Sequence, residues 1–131
     1  MDKSAILKGF NNHFDDFFED LLSIFPGDYH INKTKETLLL VKKSNPKLLI
    51  TLWYSYIALR YGEKINNLDS EFFINKDYSE DIQELDSGLN AKVVIGINSL
   101  RDPIRNMNTS DKLKAMEYLK NLTQLSVVYQ Q

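Results

Sequence analysis

The chain has 131 residues, enough for one domain and too few for two full cores. It is 43% hydrophobic and 26% charged, which argues against disorder, and it has no cysteine, which excludes disulfides, thiolate zinc sites and a cysteine nucleophile. A formal net charge of -2 excludes overall electrostatic steering toward nucleic acid.

The first element is read from Leu7, Phe10, Phe14, Phe17, Leu21 and Ile24, spaced 3, 4, 3, 4 and 3 residues apart. That is a helical stripe of about five turns. Ser4 is its expected N-cap and Pro26-Gly27 its stop. Asp15, Asp16 and Glu19 fall opposite the stripe, with His13 and Asp20 on its edge. His13, Asp16 and Asp20 share one flank, as a weak metal site would, but HExxH spacing is absent and a solvated acidic face is the commoner outcome. Phe18, Leu22 and Phe25 widen the apolar arc beyond the roughly 100° of a surface helix. They are the candidate interface of a homodimer, since an uncovered aromatic patch marks an interface and two-fold pairing buries it. The alternative is that they pack under other helices of the same chain.

A second helix is expected from Asn32 or Thr34 to Ser44, with Leu38, Leu39, Leu40 and Val41 as its apolar part and Lys42 and Lys43 at its C-terminal end. Asn45-Pro46 stops it. A third runs from Pro46 to Tyr61, burying Leu49, Leu52, Trp53, Tyr56 and Ile57, with Gly62 as C-cap. His30 reads as a loop residue. Ser70 to Ile74 reads as a short helix, and 75–88 as an exposed acidic loop with one helical turn near Asp81 to Leu85. Val93, Ile97, Leu100, Ile104 and Met107 form another stripe, interrupted at Asp102-Pro103 by a kink or a fresh N-cap. The last helix starts at Thr109 or Ser110 and buries Ala115, Leu119, Leu122, Ser126 and Tyr129, flanked by Met116 and Leu125. No strand is expected. The fold class is all-α: residues 1–131 as a single-domain bundle of about five to six helices.

Charge alternates along the chain: net -4 over 1–31, +5 over 32–62, -6 over 63–87 and +3 over 88–131. Such blocks pair within the fold or across a subunit interface. The basic candidates for phosphate or nucleic-acid contact are Lys42, Lys43 and Lys47, joined by Arg101 and Arg105 if the fold brings them together. Trp53 falls on the apolar stripe, so it reads as core and not as a stacking platform. No phosphate-cradling glycine loop, dinucleotide fingerprint or nucleophile elbow is present, and neither His13 nor His30 lies in a nucleophile motif. No enzyme and no cofactor is expected. The N-terminus shows no basic segment followed by an apolar core, and no apolar run approaches the ~20 residues of a membrane helix. An intracellular protein without membrane insertion is therefore expected. On that reading the Asn-x-Ser/Thr triplets at Asn32, Asn108 and Asn121 are chance occurrences.

Five segments carry a resemblance: HFDDFFEDLLSIFPGD at 13–28, KKSNPKLLI at 42–50 with Trp53, FFINKDYSEDI at 72–82, LRDPIRNM at 100–107 and YLKNLTQLS at 118–126. With these the chain resembles a family of small uncharacterised all-helical proteins of nucleocytoplasmic large DNA viruses, the giant, marseillevirus-like viruses. The resemblance carries no catalytic motif with it. It implies a viral interaction or structural protein, found in the virion and the host cytoplasm, with the host nucleus as a further location. Such a protein would act early on host or viral transcription components. The alternative function is a nucleic-acid-binding accessory protein that uses Lys42, Lys43, Lys47, Arg101 and Arg105.

Overall fold

Helix α1 (Lys3–Ile24) begins at Asp2, whose carboxylate accepts the Ser4 amide at 3.0 Å. The cap therefore precedes the expected Ser4, because Asp2 already supplies an oxygen to an amide of the first turn. Residues 2–75 and 88–131 are described in this computed structural model. Apart from its end residues 75 and 88, the expected acidic loop lies outside them, as does the helical turn near Asp81. Pro26 and Gly27 end the first helix as expected, and Gly27 takes the positive φ of 81° that only glycine adopts freely.

Helix α2 (Tyr29–Ser44) starts before the expected Asn32, because the Asp28 carboxylate accepts the Ile31 amide at 2.9 Å and caps the helix there. His30 is thereby an exposed residue of its first turn, and not of a loop. Ile31, Thr34, Leu38 and Val41 are buried, while Leu39 and Leu40 of the expected apolar run face outward.

Helix α3 (Leu48–Trp53), a π-turn (Tyr54–Ala58) and α4 (Leu59–Asn66) form one continuous helix. In the π-turn the Leu59 amide bonds the Tyr54 carbonyl, five residues back. Ile65 stands sixteen residues beyond Leu49, about 160° around an unbroken α-helix from it. The extra residue of the π-turn takes back about 100° of that rotation, so Ile65 returns to the buried side. Gly62 is consequently inside the helix and is not its C-cap. The helix ends instead at Asn66 with Asn67 as C-cap, and Leu68 after it takes a positive φ of 56° while the Asp69 amide bonds the Lys64 carbonyl at 3.0 Å.

The short α5 (Ser70–Asn75) buries Phe73 and Ile74. Helices α6 (Leu89–Asn98) and α7 (Arg101–Arg105), with the turn after each, carry the expected stripe, with Val93, Ile97, Leu100, Ile104 and Met107 all buried. The interruption falls at Ser99-Leu100 and not at Asp102-Pro103. Pro103 sits in the first turn of α7, where a missing N–H costs no helical bond. Helix α8 (Thr109–Gln130) starts at an Asn108 cap, whose side chain accepts the Asp111 amide at 2.8 Å.

These elements build the expected all-α bundle, with no strand among the described residues. The two 22-residue helices α1 and α8 pair along their lengths, about 33 Å each. They enclose Trp53, which is 1% exposed and packs edge-on against Phe10 and Phe14. No helix among the described residues is long and apolar enough to cross a membrane.

Candidate functional site

The pairing of α1 with α8 is antiparallel, as its contacts show in order. Lys114 bonds Asp20 at 2.9 Å, and Tyr118 stacks on Phe17 with centroids 5.2 Å apart. His13 lies 4.8 Å from the same Tyr118 ring, and at the far end Lys3 stands 5.4 Å from the Tyr129 ring. Between His13 and that far end the outer seam opens into a groove of about 580 Å³. Ile6, Gly9 and His13 line it from α1, and Asn121, Gln124, Leu125 and Val128 from α8. A Cβ on Gly9 would meet nothing within 4 Å. The groove thus exists partly because position 9 carries no side chain.

His13 is the chemically distinctive member. Its Nε2 atom is buried and bonds no other described residue. Burial holds its pKa below the ordinary histidine value, and the neighbouring Asp16 carboxylate offsets only part of that shift. The groove therefore combines largely apolar walls and the Asn121 and Gln124 carboxamides with one imidazole disposed toward its neutral form, in which one ring nitrogen donates and the other accepts. A metal role for His13, Asp16 and Asp20 has no geometric support. Asp20 is held by Lys114, and no group of three or more His, Cys, Asp or Glu among the described residues is placed to hold an ion.

The candidate phosphate contacts do not form one surface. Lys42 is bound through both oxygens of Asp15, at 2.7 and 2.8 Å, near the C-terminal end of α2, with exposed Lys43 and Lys47 following. Arg105 donates to Asp102 at 2.8 Å and to the Ile74 carbonyl at 2.8 Å. Asp102 and Pro103 share a cleft with Asp28 and His30, at the N-terminal end of α2. The two basic segments are thus separated by most of α2, about 18 Å along its axis. The Lys42–Asp15 and Lys114–Asp20 pairs also show oppositely charged blocks meeting inside one chain.

The candidate dimer residues are similarly committed. Phe18 is 3% exposed and stacks on Phe14 at 5.4 Å, so it is core and offers no outward face. Leu22 and Phe25 are half-buried against the same core. All seven phenylalanines and Trp53 are buried or half-buried, so none of them supplies a fully exposed aromatic patch. Apolar exposure lies elsewhere: Tyr29 is 71% exposed, and Leu40, Leu59 and Val128 also face outward. The groove itself has one sequence signal, an isolated glycine inside a helical pattern at Gly9. The chain matches no family model, no curated protein and no solved structure.

Proposed function

We propose that this protein is a non-enzymatic interaction protein that receives an apolar helix of a protein partner in the groove between α1 and α8. The groove is the observation that supports it: apolar walls, a glycine floor and a buried imidazole nitrogen without a partner among the described residues. Helix-in-groove recognition needs an apolar channel with few polar anchors. Leaving Nε2 unpaired costs about 1–3 kcal/mol if it stays buried, and a polar group on an incoming helix would recover that. The resemblance to proteins of nucleocytoplasmic large DNA viruses supports a virion-associated product that acts early on host or viral transcription components.

Gly9→Phe tests the groove. The added ring enters open space, so the fold is expected to survive while the groove is filled. Affinity purification from infected cells, with wild-type and Gly9→Phe chains compared by quantitative mass spectrometry, should show a partner lost from the variant. Equal recovery of every partner would count against this groove. Proteomics of purified particles tests the setting, and absence of the chain from them would remove the virion assignment.

A further inference from the structure

The groove between α2 and α6 gathers basic groups. His30, Lys33 and Thr37 line it from α2, and Lys92 and Ile95 from α6, around a volume of about 430 Å³. Its floor is closed by a tight crossing. The Ser99 hydroxyl donates to the Gly96 carbonyl at 2.6 Å and lies 3.1 Å from the Thr34 hydroxyl. Those two hydroxyls are spent on each other and on backbone, and Thr37 donates to the Lys33 carbonyl at 3.1 Å. The donors left to meet a ligand are the ammonium groups of Lys33 and Lys92 and a ring N–H of His30, which either tautomer carries.

The two acids of the neighbouring cleft are already engaged. Asp28 caps α2 and Asp102 holds Arg105, and both line the separate cleft beyond His30 and Ser99. The described ion pairs engage Lys42, Lys114 and Arg105, and neither Lys33 nor Lys92. Lys33 belongs to the +5 block and Lys92 to the +3 block. Packing α2 on α6 brings like charges to one concavity, an arrangement that an anion relieves. The volume suits one small molecule within the roughly 300–1,000 Å³ usual for such sites. It does not suit a polymer backbone, which needs a continuous basic stripe. Exposed Ile95 offers apolar contact to whatever carries the anion.

We propose that the groove between α2 and α6 binds a small phosphate monoester, with Lys33, Lys92 and His30 on the phosphate and Ile95 against the organic part. The site is independent of the α1–α8 groove. The test is a titration of the ¹⁵N-labelled full chain, followed by NMR, with inorganic phosphate, adenosine 5′-monophosphate and adenosine. Saturable shifts are expected at the amides of Lys33, Thr37, Lys92 and Ile95 with the monoester, weaker ones with phosphate and none with adenosine. Lys33→Gln and Lys92→Gln, both at exposed positions, should each weaken the monoester about tenfold or more, as expected for one lost charge-assisted hydrogen bond. Lys43→Gln and Lys47→Gln should change nothing. Three results would overturn the proposal: no saturable shift, shifts indifferent to Lys33 and Lys92, or a single-stranded oligonucleotide bound more tightly than the monoester.

Discussion

The indole N–H of Trp53 donates to the hydroxyl of Thr123 at 3.0 Å, and Thr123 in turn donates to the Leu119 carbonyl at 2.8 Å. This chain of two bonds ties the central helix to α8 inside the core, where both side chains are almost wholly buried. A buried indole N–H without an acceptor costs its full desolvation.

Thr123→Val keeps the shape and removes the acceptor. It should destabilise the fold by about 1–3 kcal/mol, the cost of one buried unpaired donor. Thr123→Ser keeps the oxygen and should cost less. Urea unfolding followed through Trp53 fluorescence ranks the two, and a valine variant as stable as wild type would mean the bond contributes nothing.

Two helical glycines should respond to alanine with opposite signs. At Gly9 a Cβ meets open space, so Gly9→Ala should stabilise by roughly 0.5–1 kcal/mol through backbone entropy and helix propensity. At Gly96 a Cβ would stand 3.2 Å from the Thr34 methyl. Thr34 is held by its hydroxyl contact with Ser99, so Gly96→Ala should destabilise despite the same propensity gain. Thermal melts of both variants measured together decide the matter.

Phe18→Ala should cost about 3–5 kcal/mol, as for a large aromatic deleted from a core. Phe18→Lys should unfold the chain and not merely dissociate an assembly. Circular dichroism with light scattering separates the outcomes: a folded Phe18→Lys chain of lower mass than wild type would return Phe18 to an interface.

His13 should impose a pH dependence on stability. Its folded pKa is lowered by burial, so the unfolded chain takes up the proton first as pH falls. Stability from this group is complete above the unfolded pKa, declines as pH drops from there through the folded value, and then levels off. Lys114, whose pKa is raised by its bond to Asp20, titrates far above this window. Urea midpoints from pH 7.5 to pH 5 should therefore fall more steeply for wild type than for His13→Gln. Parallel curves would show that burial of His13 does not penalise its charged form.

Local patterns in the sequence determined the helical class and most of its punctuation. Stripes such as Phe10, Phe14, Phe17 and Leu21, or Val93, Ile97 and Leu100, are written at helical spacing, and Pro26-Gly27 is a stop wherever it occurs, because these signals depend on neighbours within one or two turns. Trp53 was legible as core for the same reason. Only the tertiary structure decided which part of a broad apolar arc is covered, since that depends on what packs against it: Phe18 went inside and Leu40 stayed out. The π-turn and the passage of the helix through Gly62 follow from the need to return Ile65 to the core, which no local rule announces. The grooves were legible least of all. His13 meets Tyr118 and Lys33 shares a concavity with Lys92 only because distant helices pack side by side, and separation in sequence carries no record of that proximity.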